Sequence, residues 1–450
     1  MRASRKTDGF CRADLGRYLC ALLAVFLISL TLPNFAEAEP VYTTLHAFTG
    51  STDGTLVGGD GLIRKGSVLY GVAAKGGRSG CPAGCGLVYT LTPTADPQVW
   101  EKRTIYSFVG GGRGYWPRGQ LQFGSDGALY GAASRGGLSG TGCSNNSDGS
   151  GGCGLIYKLT APETAGQPWT QTVLYRFKNS QDGNWPIGGL VVAGGALYGT
   201  TNLGGGGGLG TAFRLTASSD PAATWIKTTL AAFSGGAGAS PNAALTLHNG
   251  KFYGTTSTGV NFAGSVFELA PPAPGKPQWT LKILHKFIDT TGTFPAFVKI
   301  VFDGNGRLYG TASKGGADCT GGPPGCGVVF QMTPPSPPGR AWAYHVIHRF
   351  RPGSDGFAGE GGGVPVGGIA FDAAGTAYGV TSEGGENKSG VIYKLTPPAG
   401  DAGSWAKTVL YNNISQSNRP QAPVIVAGPF LYGTLAAELF GSGEAFRLEQ

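Results

Sequence analysis

The stretch Gly195–Thr216 reads GALYGTTNLGGGGGLGTAFRLT: an aromatic-glycine pair, two threonines, five consecutive glycines and a short apolar run. A glycine-rich phosphate loop needs a helix after it, whose first N–H groups hold the anion. Here the glycines lead into TAFRLT, a strand-like run, and no Gly-Lys-Ser/Thr follows. A linker is excluded for a different reason, because the pattern recurs. Tyr-Gly stands at Tyr70, Tyr130, Tyr198, Tyr253, Tyr309, Tyr378 and Tyr432, at spacings of 60, 68, 55, 56, 69 and 54 residues. Each pair is followed by a glycine-rich loop and then by a run such as GLVYTLTP, GSVFELAPP or GVIYKLTPP. The glycines are therefore turn residues of a repeated unit.

Each unit holds four short runs rich in Val, Leu, Thr, Tyr and Phe and bounded by Gly, Pro, Asp and Asn, which predicts strands. Around the opening stretch these are WTQTVLYRF from Trp169, then GGLVVAG, ALYGTT and GTAFRLT. Seven four-stranded units predict an all-β, seven-bladed β-propeller, a ring without long open edges. A parallel β-helix fits worse, since its coils are about 20–30 residues or shorter. Within a blade the run before LYG is innermost, LYGTT second, VFxL third and the Trp-to-Phe run outermost. The chain then opens on an outermost-type strand, Val41–Phe48, and ends on a third-type strand, Glu444–Leu448. The two are expected to pair and close the last blade.

The chain has 450 residues, 81 of them Gly and 29 Pro, yet 41% are apolar and 11% aromatic. That is enough to bury a core and excludes a disordered chain. Arg2, Arg5, Lys6, Arg12 and Arg17 precede the apolar stretch Tyr18–Leu32, and Ala36 and Ala38 follow at cleavage spacing. This predicts a signal peptide over residues 1–38 and a single propeller domain over 39–450. A spanning helix would need about 20 apolar residues, so no stable membrane insertion is expected after cleavage. Without residues 1–38 the Lys/Arg count falls from 34 to 29 and Asp/Glu from 26 to 23, leaving +6. Dispersed over such a length, that charge predicts no nucleic-acid partner. Export to the periplasm or medium also suits disulfides, and the six remaining cysteines fall in near pairs: Cys81/Cys85, Cys143/Cys153 and Cys319/Cys326. CPAGC has no second pair or histidine cluster beside it, so no metal is expected there. Cys143–Cys153, CSNNSDGSGGC, has calcium-loop composition but lacks the leading Asp and closing Glu of an EF-hand.

With these motifs in hand, the chain resembles the GloVer tandem-repeat proteins, also called choice-of-anchor repeat proteins. The matching stretches are GALYGTTNLGGGGGLGTAFRLT, GRLYGTASKGG…CGVVFQMTP and GTAYGVTSEGG…SGVIYKLTPP, and the resemblance covers residues 39–450. It implies a secreted or surface repeat protein and carries over no catalytic residue. Many members end in an anchoring signal. This chain ends at FRLEQ, and a soluble exported protein is expected.

Side chains that recur at one repeat position are read as packing. These include Trp100, Trp169, Trp225, Trp279, Trp342 and Trp405 at the start of the outer strands, and His46, His285 and His348 at a place that Tyr106, Tyr175 and Tyr411 occupy elsewhere. His345 and His348 lie three apart on a strand, on opposite faces, which does not make a metal pair. The charge at Thr90, Lys158, Arg214, Glu268, Gln331, Lys394 and Arg447 changes sign between units, as on a solvated face. The loops that share one end of the ring carry Tyr115, Trp116, Trp185, Phe294 and Phe357, with Arg78, Arg113, Arg118, Asp53, Asp182 and Asp355. Aromatic and polar residues on long loops suit a ligand-binding surface, for glycans or peptides. Trp116, Trp185 and Phe294 each precede a proline, so packing of the loop is the competing reading. The function expected is a non-enzymatic binding or interaction platform, monomeric and without cofactor. The alternative is a propeller polysaccharide lyase or glycosidase, but Asp182, Asp355, Glu360 and Glu383 form no recognisable catalytic arrangement.

Overall fold

Every Tyr-Gly pair lies in the second strand of a four-stranded antiparallel blade. The computed structural model describes Glu39–Gln450 apart from residues 58–60, 79, 82, 138–142, 144–150, 165, 179–180, 221–223, 260–262, 296, 317–325, 338, 352–362, 401–403, 416 and 438–442, and the described residues from Pro40 onward belong to one compact unit. The third blade shows the plan. Leu190–Ala193 is innermost, followed outward by Ala196–Thr201, Thr211–Thr216 and Ile226–Ala232. Seven such sheets follow one another, so the fold is a seven-bladed β-propeller and the expected strand order holds. The termini also meet as expected. Val41–Ala47 pairs with Glu444–Glu449 from Val41↔Glu449 to Ala47↔Glu444, making the N-terminal strand the outer edge of the last blade.

The glycine of each Tyr-Gly pair has a steric cause. It stands directly across from the aromatic residue of the third strand: Gly71 from Tyr89, Gly131 from Tyr157, Gly199 from Phe213, Gly254 from Phe267, Gly310 from Phe330, Gly379 from Tyr393 and Gly433 from Phe446. The ring lies over the glycine. A Cβ at Gly310 would come 2.7 Å from Phe330 Cζ, and one at Gly254 2.6 Å from Phe267 Cζ. Only glycine leaves room for the ring, and the ring in turn covers backbone that glycine would expose.

The same rings join neighbouring blades. The phenylalanine ending an outer strand packs edge-on against the third-strand aromatic of the next blade, with centroids 5.0 Å apart in Phe48–Tyr89, 5.2 Å in Phe108–Tyr157, 5.4 Å in Phe177–Phe213, 5.1 Å in Phe233–Phe267, 5.3 Å in Phe287–Phe330 and 5.4 Å in Phe350–Tyr393. Edge-to-face aromatic pairs contribute about 0.5–1.5 kcal/mol beyond their area. Asn413 takes the phenylalanine's place between blades six and seven. It is buried, and its Nδ2 donates to the carbonyls of Ser389 (2.8 Å) and Asn418 (2.7 Å). Tyr42 supplies aromatic packing near this junction by stacking on Tyr411, with centroids 4.1 Å apart.

A second glycine fixes how closely blades approach. Gly154, Gly210 and Gly264, each preceding a third strand, have φ between +88° and +107° and face the proline ring of the next blade. A Cβ there would come within 2.6 Å of Pro186 Cδ, 2.6 Å of Pro241 Cδ and 2.8 Å of Pro295 Cδ respectively. Cys81–Cys85 and Cys143–Cys153 are disulfides. Cys326 is also disulfide-bonded, while Cys319 lies outside the described residues, as does the interior of the Cys143–Cys153 loop.

Gly310→Ala is expected to destabilise the protein by about 2–3 kcal/mol through overpacking against Phe330. Phe330→Leu in the same chain should recover part of that loss. Denaturant midpoints at unchanged m-value measure both; independent, additive losses would contradict the steric account.

Candidate functional site

The loops expected to share one end of the ring do so. Bridges Asn184↔Leu203, Ala239↔Thr258 and Thr293↔Lys314 tie the loop entering a blade to the loop between its second and third strands. Most of the described residues expected there are engaged with their own protein. Trp116, Trp185 and Phe294 sit at φ 54°, 58° and 58°, and their N–H groups donate to the carbonyls of Cys85, Cys153 and Ala263 in the preceding blade. The Arg135 guanidinium lies 4.9 Å from the Trp116 ring centroid and 4.8 Å from that of Trp185, Lys75 lies over Trp116 at 5.4 Å, and Lys314 lies over Phe294 at 4.9 Å. Tyr115 is buried. Arg113 ends the short turn Gly111–Arg113, and its carbonyl accepts from Gln171 Nε2 (3.0 Å). Phe357 and Asp355 lie outside the described residues.

Asp182 and Asp53 occupy equivalent loop positions and clamp adjacent outer strands. Asp182 accepts from Tyr175 Oη (2.9 Å) and the Lys178 N–H (2.9 Å), and pairs with the buried Lys227 at 3.2 Å. Asp53 contacts His46 Nε2 (3.0 Å), the Thr49 N–H (2.9 Å) and Lys102 Nζ (2.8 Å). Burial alone would raise the Asp53 carboxyl, but the hydrogen bonds from Lys102, Thr49 and His46 outweigh it and hold the group down at about 2. His285 stacks on Tyr344 with centroids 3.8 Å apart, and its burial lowers the imidazole to about 4. The outer-strand tryptophans pack on tyrosines of the preceding blade, as in Trp100–Tyr432, Trp342–Tyr253 and Trp405–Tyr309.

Arg118 and Phe294 differ from the other expected residues because they line a cavity. About 250 Å³ in volume, it is walled by Arg118, Phe294, Phe297, Ser313, Lys314, Val364, Val366, Ser382 and Gln421. These residues come from blades two, five, six and seven, so the cavity is the axial mouth of the ring at the loop-bearing end. Phe297 also lines a much smaller axial cavity of about 30 Å³, with Gln120, Asn242, Lys299, Pro423 and small residues. The axial positions after the recurring proline are mostly glycine or alanine: Gly119, Gly188-Gly189, Ala243-Ala244, Gly367-Gly368 and Ala422. Blade five breaks this pattern with PAFVKI, carrying one extra residue and placing Phe297 and Lys299 on the axis. Phe297 is 39% exposed at φ 57°, and Asn242 Oδ1 accepts its N–H (3.1 Å). Lys299 Nζ donates to Gln120 Oε1 (3.2 Å), whose Nε2 donates to the Leu62 carbonyl (2.9 Å). Desolvation lowers the Lys299 ammonium below its ordinary value. Reading loops alone missed Phe297, Lys299 and Lys314. The available signal was the broken Pro-x-Gly-Gly-Leu pattern.

A larger groove of about 790 Å³ runs between blades five and six on the opposite end, past Arg307, Gln331, His345 and Trp405. At the base of the adjoining cavity Asp303 is engaged by Tyr309 Oη and the N–H groups of Asn305 and Arg307, and Gln331 donates to Tyr309. Among the described residues no cluster of His, Cys, Asp and Glu is arranged to hold a metal ion.

The architecture defines a seven-bladed propeller built from one repeated unit. Residues 143–358 match the family model described as the Gloeobacter/Verrucomicrobia repeat, and the Tyr-Gly motif of that stretch recurs in all seven blades. No curated protein matches the chain. Among solved structures it is similar to a protein of unknown function from Dyadobacter fermentans, with 11% identity over 92% of this chain and 98% of the other at TM-score 0.43. It is also similar to a luciferin-regenerating enzyme, with 13% identity over 91% and 95% at TM-score 0.40. A putative 6-phosphogluconolactonase from Bacteroides uniformis shows 12% identity over 84% and 95% at TM-score 0.47.

Asp182→Asn should lower stability by on the order of 2 kcal/mol, because it leaves Lys227 without its counter-charge. A thermal melt unchanged from the parent would show that the clamp carries no load. His285 gives a pH signature. Its folded value lies below the ordinary 6.5, so the unfolded chain binds the extra proton. Stability is therefore expected to fall as pH drops from about 6.5 towards 4 and to level off below. His285→Tyr, the residue found at this position in other blades, should flatten that part of a Tm–pH profile.

Proposed function

We propose that the protein is an exported, non-enzymatic binding platform whose ligand enters the axial mouth. The observation that carries this reading is the mouth itself. There, described residues from four blades converge on a cavity beside the place where blade five departs from the repeat. Its volume falls just below the about 300–1,000 Å³ usual for drug-sized ligands, which suits a single sugar ring or a short side chain. Phe294 and Phe297 supply apolar walls, and Arg118, Lys314, Ser313, Ser382 and Gln421 supply polar ones. A glycosidase or lyase would need paired acids there. None of the described residues lining the mouth is Asp or Glu, which supports the binding reading. Export is supported by the disulfides and by the signal-like residues 1–38.

Glycan and peptide arrays with the purified protein test this. Retention of a ligand is expected, weakened at least tenfold by Phe297→Ala without a shift in melting temperature. Silence on both arrays, or conversion of a bound glycan to product, would contradict it.

A further inference from the structure

Four lysines of the blades are paired with carboxylates. Lys102 meets Asp53, Lys158 meets Asp126, Lys227 meets Asp182 and Lys251 meets Glu268, all at 2.8–3.2 Å. The two lysines of the axis are not. Lys299 has a single neutral partner, Gln120, at 3.2 Å, so one of its three N–H donors is used. Lys314 contacts the Phe294 ring. Neither has a carboxylate within ion-pair distance among the described residues.

A desolvated ammonium without a counter-charge is costly, and the cost falls when an anion arrives. The surroundings restrict what the anion can be. Below the mouth the axial space narrows to about 30 Å³, enough for one small group and not for a ring. Asn242 uses Oδ1 to hold the Phe297 N–H, so its amide nitrogen, on the other branch, adds a donor to the same space. Gln120 is fixed by its bond to Leu62 and holds Lys299 on the axis. Above this narrow anion-favouring space lies the wider mouth, with the exposed Phe297 ring on its wall and Lys314 beside Phe294.

We infer that the axial mouth takes an acidic sugar: the carboxylate of a hexuronate enters the narrow space beneath Lys299 and Asn242, and its pyranose ring rests in the mouth against Phe297. Lys314 and Arg118 add positive charge at the entrance. This rests on the binding reading above and names the ligand class for it. The same carboxylate can come from a free monosaccharide or from the terminal residue of an acidic polysaccharide. The narrow axial space favours an end-on terminal residue over an internal one.

Isothermal titration with free hexuronates, short oligouronides and the matched neutral hexoses and oligomers tests the inference. Uronates are expected to bind and neutral sugars to bind at least tenfold more weakly. Equal affinity for free and chain-terminal uronate would place recognition in the end residue alone, and tighter binding of oligomers would extend it to the loops; both agree with the inference. Lys299→Met should weaken uronate binding at least tenfold. Lys314→Met, at the accessible rim, should weaken it severalfold and reduce its salt dependence, which keeps the test valid if Lys299→Met does not fold. The inference is overturned if no uronate binds, if neutral sugars bind equally well, or if both folded variants bind like the parent. Capture of neutral ligands on the arrays with indifference to uronates would leave the binding reading standing and remove this one.

Discussion

The contact between a second-strand glycine and the aromatic ring opposite it governs much of this structure. It occurs once in every blade, from Gly71–Tyr89 to Gly433–Phe446. The ring needs the space that a Cβ would occupy, so Tyr-Gly cannot drift to Tyr-Ala without displacing the ring. Once seated, six of the seven rings meet the outer-strand phenylalanine of the preceding blade, and the largest fully buried side chains are mostly these pairs. A local steric rule therefore becomes the contact that holds blade to blade. The glycine–proline junctions then fix how closely the blades approach, and pairing of Val41–Ala47 with Glu444–Glu449 closes the ring.

That arrangement leaves little freedom on the axis. Inner strands pack so closely that most axial positions hold glycine or alanine; a Cβ at Gly188, for example, would come 2.8 Å from the Ala243 carbonyl carbon. A bulky or charged side chain on the axis is thus a departure that the repeat does not require. Blade five makes it twice, with Phe297 and Lys299, and blades two and four answer with Gln120 and Asn242. The proposed division between packing residues and ligand-contacting residues rests on this. Trp116, Trp185, Arg113 and Asp182 work at blade junctions, where equivalent positions recur. The axial set does not recur.

The fold was legible in the sequence because its causes are local and repeated seven times. Tyr-Gly, the third-strand aromatic and the flanking turns appear at every unit, and the order assigned to the strands of a blade predicts the pairing of Val41–Ala47 with Glu444–Glu449. The site was less legible. Trp116 and Asp182 look like ligand residues when each loop is read alone, and only their contacts with Cys85, Arg135, Lys227 and Tyr175 show what engages them. Arg118 and Phe294 were within reach because they sit on the same loops as the mouth. Phe297 and Lys299 become visible only when the seven units are superposed at the proline and the inserted residue of blade five is noticed. Convergence of separate blades on one axis is a property of the closed ring.

The central claim is that ligand recognition belongs to the axis and not to the aromatic loop residues or the groove between blades five and six. A crystal structure of the protein grown with a hexuronate measures this most directly. The account predicts density for one sugar in the mouth, its carboxylate within hydrogen-bond distance of Lys299 Nζ and its ring against Phe297. Density in the groove beside His345 and Trp405, or an axis containing only water at saturating ligand, would contradict it.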